Sequence, residues 1–224
     1  MQRHQQSKQQ SHEALQHKSS GSKKSYTKYY AIGAVVAILA IYFIFFSGGS
    51  KAPPMPIIGA HPFTGLPTSN VNIIIFGDFQ CPFTKQFHDE VFSKLLETYK
   101  DTARIEFHPM PTGKHQYDRA SAEAAYCANE QGKFWEYSDI LFARQGQGED
   151  ATLKNYAAEL GLDKDKFNAC FDSHKYKQTV QDDYLEGRQL SVAVTPTIFI
   201  NHLKLEGSLP FYQYQRYVEF ALKQ

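Results

Sequence analysis

The sequence predicts a mixed α/β domain held behind a single membrane-spanning helix. Three observations carry this. The apolar, β-branched run Ile73-Ile74-Ile75-Phe76 ends at Gly77-Asp78, and Phe83, Phe87, Val91 and Leu95 then recur at helical spacing; a buried strand turns there into an amphipathic helix. Near the end of the chain two more strand-like runs are followed by a last helical pattern, with a long helical region between the two halves. An uncharged stretch, residues 29–46, precedes all of it. Periodicity alone specifies mixed α/β and no particular topology.

A chain of 224 residues holds one well-buried domain plus appendages. The net charge of +1 hides an asymmetry: residues 1–50 carry six Lys/Arg and one Glu, and the remainder carries eighteen Lys/Arg and twenty-two Asp/Glu. The domain is therefore mildly acidic, which argues against a nucleic-acid partner. The basic excess at the start is accounted for by the membrane segment that follows it.

Residues 1–28 are Gln, His, Ser and Lys with few aliphatic residues, too polar to offset chain entropy, and read as a disordered basic tail. His4, His12 and His17 recur at no ligand spacing, so a solvated tail is the better reading than a metal site. Residues 29–46 span about 27 Å as a helix, just enough for the hydrocarbon core. Tyr29 and Tyr30 suit the headgroup boundary. Lys23, Lys24 and Lys28 lie just before, which places the N-terminus in the cytoplasm and the domain outside the cell membrane. Ser47-Gly48-Gly49 offers small residues to a signal peptidase, but the length of the apolar stretch and of its leader favours an uncleaved anchor. Residues 47–70, rich in Gly, Pro and Ser, read as a tether.

The domain is expected over 71–224. After the first strand, a helix runs from the Cys81 region to about Lys100. Ala103–Pro109 alternates apolar Ile105 and Phe107 with Arg104 and Glu106, a second strand stopped by Pro109 and Pro111. Helical patterns then follow around Ala120–Ala128, Phe134–Leu141, Leu153–Leu160, Lys166–Cys170 and Tyr176–Leu190. Val192–Asn201 returns to strand, Asn201-His202 is a turn, and Leu203–Gly207 is the partner strand. Pro210 opens a final helix with Tyr214, Tyr217, Val218 and Ala221 on one face.

Cys81 stands where the first strand becomes a helix, followed by Pro82. Proline is favoured in a helix's first turn, and a thiolate at a helix start is stabilised by free backbone N–H groups. That favours a reactive thiol over a buried structural one. Phe76-Gly77-Asp78-Phe79-Gln80-Cys81-Pro82-Phe83 resembles the active-site segment of the DsbA-like, thioredoxin-fold disulfide oxidoreductases. The family pattern is C-P-x-C; this chain has Thr84 where the second cysteine belongs. Over roughly residues 60–222 the resemblance implies a thioredoxin-like fold with a helical insertion at about 112–190.

The resemblance also implies roles. Cys81 is the nucleophile, and Thr84 is a candidate hydrogen-bond donor to its thiolate that cannot resolve a mixed disulfide. Val194-Thr195-Pro196-Thr197-Ile198 resembles the family's loop opposite the active site, with a cis bond before Pro196 and a backbone edge for an extended substrate. Pro82, Phe83, Thr195 and Pro196 are thus the expected substrate-binding residues. Cys127 and Cys170 fall where related proteins carry a disulfide, which an extracytoplasmic compartment permits. Asp78 is either a buried proton acceptor or a turn cap. Phe79 and Phe83 are expected to form an apolar patch beside the thiol, and His88 to face solvent. No Cys/His spacing fits zinc, so neither a metal nor a cofactor is expected. The expected function is single-cysteine thiol–disulfide exchange with extracytoplasmic, cysteine-bearing client proteins, with a redox partner the residues do not specify. A non-catalytic peptide-binding module or chaperone is the alternative.

Overall fold

The computed structural model describes residues 32–36, 38–39, 56 and 61–224. The chain divides into two compact units, Met1–Ala52 and Pro53–Gln224. In the first, residues 32–36 and 38–39 are helical. The rest of the expected membrane segment, the basic tail and most of the tether lie outside the described residues. Among the described residues no helix is long and apolar enough to cross a membrane.

The second unit is built on a five-stranded sheet in the order β1-β3-β2-β4-β5. The strands are β1 (Phe63–Gly65), β2 (Asn72–Gly77), β3 (Arg104–Pro109), β4 (Thr197–Ile200) and β5 (Leu203–Glu206). β2 pairs parallel with β3, in register Ile73↔Ile105 and Ile75↔Phe107, and antiparallel with β4, in register Ile75↔Ile198. β1 and β5 are antiparallel edges on β3 and β4. Between β2 and β3, helix α1 (Pro82–Phe87) passes through a π-helical turn, His88–Phe92, into α2 (Ser93–Tyr99). Five helices separate the two halves of the sheet: α3 (Asp118–Asn129), α4 (Phe134–Ala143), α5 (Asp150–Glu159), α6 (Lys164–Asp172) and α7 (Lys177–Gln189). Helix α8 (Phe211–Ala221) closes the chain.

β2 is apolar at consecutive positions because both its faces are covered. Ile73 and Ile75 enter the main core with Phe87, Leu95, Tyr214 and Val218. Ile74 and Phe76 point to the opposite face, where they meet Met110, Leu190, Val192 and Phe199. The main core continues without a break into the inserted helices through Ala124, Phe134, Tyr137, Leu153 and Phe167. Cys127 on α3 and Cys170 on α6 are joined by a disulfide, with Cα atoms 5.8 Å apart.

One expectation is corrected. Residues 63–65, read by composition as tether, form β1. The strand has three residues, too few for an alternation to be read, and it lies between Pro62 and Pro67. Its position is set by tertiary contacts: the Arg104 guanidinium sits 3.5 Å over the Phe63 ring, and Gly65 at φ +85° lies so close to Ala103 O that a Cβ would collide with it.

Candidate active site

Cys81 occupies the N-cap of α1 in an extended conformation (φ −80°, ψ 123°), with Pro82 in the first turn. Its N–H donates to Asp78 O at 3.0 Å, and Lys85 N donates to its carbonyl at 3.0 Å. The thiol donates to Thr195 O at 3.3 Å. The Thr195-Pro196 bond is cis. The sulfur is nearly covered, Cys81 being 7% exposed. Pro82 is exposed beside it, and two apolar side chains, Phe83 (62% exposed) and Val194 (45%), stand out from the two segments that meet at the sulfur. Of the substrate-binding residues expected from sequence, Pro82 and Phe83 therefore face solvent, whereas Thr195 and Pro196 are buried against Cys81 and β4.

Thr84 is fully buried, and its hydroxyl oxygen accepts from Asp78 N at 3.4 Å. Among the described residues no hydrogen bond joins Thr84 to Cys81. Thr84, expected as a thiolate donor, is thus near Cys81 in sequence spacing, and the hydrogen bond its hydroxyl makes is with Asp78 N at the strand end. Its methyl group packs on Gly77, where a Cβ would lie 2.9 Å from Thr84 Cγ2 and 2.6 Å from Phe107 Cζ. Gly77→Ala is therefore expected to destabilise the fold by about 1–3 kcal/mol through overpacking, read as a lower urea midpoint.

The Phe79 expectation is also corrected. Phe79 is buried in the core, its ring 5.1 Å from that of Phe107 and 5.2 Å from that of Phe142. Among the described residues, Phe83 is the aromatic that stands exposed at the thiol.

Asp78 is buried beneath the turn. Its Oδ1 accepts from Gln80 N at 2.8 Å, and its Oδ2 accepts from Thr112 Oγ1 at 3.2 Å and lies 2.8 Å from His115 Nδ1. Burial pushes this carboxyl above its usual range; the bonds from Gln80 and His115 oppose that without cancelling it. Asp78 therefore caps the turn as a buried carboxyl.

Sequence reasoning missed Gln145. Its Nε2 donates to Phe79 O at 2.8 Å and to Cys81 O at 3.0 Å. Gln80 answers in the other direction, accepting from Gly146 N at 2.8 Å and donating to Ser121 Oγ at 3.1 Å. The turn after α4, together with Ser121 of α3, thereby clamps the Cys81 turn. No local pattern announces such bonds, since they join a side chain to backbone some 64–66 residues away.

His88 is half-buried rather than solvent-facing. It stacks on Phe142 at 4.5 Å and its ring nitrogens lie 2.9 Å from Asp139 Oδ1 and 3.1 Å from Asp89 Oδ1. Burial works against the imidazolium, but the Asp139 and Asp89 carboxylates together outweigh it and hold the group above its usual value. A folded-state value above the unfolded one contributes stability that is complete below about pH 6.5 and is lost as pH rises through the raised value. His88→Gln is expected to flatten that part of the pH–stability curve. The effect should be at most about 1 kcal/mol, because Asp139 is 64% exposed; urea midpoints between pH 5 and 8 read it.

The thioredoxin family profile matches residues 59–219. The fold is that of BdbD from Bacillus subtilis (TM-score 0.69, 20% identity, covering 77% of this chain and 98% of that one). It is also that of the thiol-disulfide exchange protein alpha-DsbA2 from Wolbachia pipientis (TM-score 0.65, 18% identity, 84% and 96%). In sequence, disulfide bond formation protein D of Bacillus subtilis is 22% identical over 187 residues, 79% of this chain and 83% of that protein. The Na(+)/H(+) antiporter NhaA 1 of Salinispora arenicola is 36% identical over 139 residues, 62% of this chain. The chain spans only about a fifth (21%) of that antiporter's length. The strand-to-helix cysteine, the cis-proline loop against it and the sheet that carries both agree with these matches: the chain belongs to the thioredoxin family and has the fold of its DsbA-like disulfide oxidoreductases.

Proposed function

We propose that the protein performs thiol–disulfide exchange on protein disulfides outside the cytoplasm through one thiol, that of Cys81, tethered by residues 29–46. The observation that carries this reading is the isolation of that thiol. Cys81 is the one free cysteine, and the other two are joined to each other. The likeness to disulfide bond formation protein D supports protein disulfides as the substrate class.

The chemistry runs in one step and then waits. The thiol gives its proton to solvent, and the thiolate attacks one sulfur of a client disulfide. A bond forms between Cys81 Sγ and that sulfur; the client S–S bond breaks, and its other sulfur leaves as a thiolate. A thiol from another molecule must then attack the mixed disulfide, because the Thr84 hydroxyl is no thiol nucleophile. The client releases the sulfur from Thr195 O as it docks, against the exposed Phe83 and Val194. For net reduction, one outside thiol attacks Cys81 Sγ and expels the client's second thiolate, and a second outside thiol then frees Cys81 and leaves joined to the first as a disulfide; for isomerisation, another thiolate of the client attacks the client sulfur and expels Cys81. A peptide-binding module without exchange is the second reading, favoured by the near-complete covering of the sulfur.

The test mixes purified full-length protein with a disulfide-bridged peptide. Release of one equivalent of peptide thiol, with a reductant-sensitive adduct absent in Cys81→Ser, supports exchange. Peptide binding of equal strength in wild type and Cys81→Ser, with no thiol released, supports the binding module instead.

A further inference from the structure

On the face of the sheet away from the main core, the fold assembles a buried group that sequence spacing does not reveal. His61 precedes β1, His108 lies on β3 and Glu186 on α7, and one potential ligand atom from each lies within 4.8 Å of the other two. His61 and His108 are more than nine-tenths buried as side chains, and Glu186 is nearly so.

Each imidazole is already held from behind by a carboxylate. His61 Nε2 lies 2.9 Å from Asp183 Oδ1, and Tyr126 OH donates to Asp183 Oδ2. His108 Nε2 lies 3.3 Å from Glu106 Oε2, and Arg104 Nε donates to Glu106 Oε1. A carboxylate on the far nitrogen is how proteins orient a ligating histidine and fix its tautomer. The near nitrogens are then the ones left for an ion. His108 Nδ1 faces Glu186 Oε2 at 3.3 Å, while His61 Nδ1 is buried with no hydrogen-bond partner among the described residues. A buried lone pair without a donor is costly to keep. Here it sits beside a second imidazole, with the rings stacked 3.4 Å apart at 21°, and beside a carboxylate. Arg104 sits against Glu106, and Asp183 stands behind His61 as a buried carboxylate whose charge a dication on that ring would balance.

We infer that His61 Nδ1, His108 Nδ1 and Glu186 bind a divalent transition cation of the zinc type. Two imidazoles and one carboxylate suit that class, with distances of about 2.0–2.2 Å, and do not suit calcium or magnesium, which take oxygen ligands. The Nδ1 lone pairs lie in the planes of their rings, so an ion shared by both sits at the edge of the stack, and coordination opens the rings from their stacked arrangement. The site joins the segment before β1 to β3 and α7. It differs from the Asp78, His115 and Asp118 group beneath Cys81, whose carboxylates are already engaged by Gln80 N, Thr112, His115, Gly113 N and Arg119 N.

The test uses full-length protein stripped with a chelator and titrated with Co²⁺ and Zn²⁺, in parallel with a His4→Ala/His12→Ala/His17→Ala variant that removes tail histidines. One equivalent is expected to bind to both proteins. His61→Ala and Glu186→Gln should each weaken binding at least about a hundredfold, and Asp183→Asn about 10–100-fold, the effect typical of a carboxylate behind a metal ligand. X-ray absorption of the zinc-loaded wild type, which needs no variant to fold, should show two imidazole nitrogens and oxygen around the ion. Absence of stoichiometric binding, loss of binding in the tail variant, calcium competing on equal terms, or sulfur in the coordination shell would each overturn the inference.

Discussion

Thr84→Cys is expected to shorten the life of mixed disulfides on Cys81 at least about a hundredfold and to create a dithiol oxidase. The wild type has no second thiol at the site, so each covalent complex waits for an outside thiol. A cysteine three residues on in the helix places its Cα about 5 Å from that of Cys81, inside the usual range for a disulfide. Thr84 is fully buried, and cysteine lacks its methyl, so the replacement fits the space against Gly77 without overpacking. Attack within the molecule gains effective concentration that no free thiol matches. The loss of the Thr84–Asp78 hydrogen bond should lower stability slightly without changing this result. Rapid quench with acid, followed by non-reducing separation, measures adduct lifetime in both proteins. Equal lifetimes would mean that release is not limited by the missing thiol.

Removing the Cys127–Cys170 bridge is expected to destabilise the domain by about 4 kcal/mol. The bridge closes 43 residues, and tying a loop of that length restricts the unfolded chain by about that amount in the chain-entropy model. Both cysteines are buried in the core shared with Phe134, Tyr137 and Phe167, so the Cys127→Ala/Cys170→Ala variant adds two small cavities to the loss. Denaturant midpoints in urea compare the two proteins. A loss under about 1 kcal/mol would mean that the inserted helices hold themselves together by packing alone.

The parts of the fold legible in the sequence are those with a long signal. β2 is six residues buried on both faces, so it reads as a continuous apolar run, and Pro82 marks the helix start behind Cys81. The cis loop and the cysteine pair were legible only through the family resemblance; neither has a local pattern of its own. β1 was illegible because three edge residues carry no period. Thr84 shows the limit at the site itself: spacing brings it near Cys81 but does not tell that its hydroxyl meets Asp78 N. Phe79 fails for a related reason, since the turn after β2 directs it into the core while Phe83, one helical turn on, faces out. Gln145, His115 and the His61–His108 pair are brought in by tertiary contacts across long stretches of chain, where sequence periodicity has nothing to say.

The central claim is that one thiol carries the chemistry and holds the client covalently. It is tested most directly by quenching cells in acid, blocking free thiols, isolating the full-length protein without reductant and identifying what is bound to Cys81. The account predicts polypeptides joined through Cys81 by bonds that reductant cleaves, and none joined to Cys81→Ser. A Cys81 recovered wholly as the free, blocked thiol, in a protein that exchanges with a peptide disulfide no faster than Cys81→Ser, would contradict it.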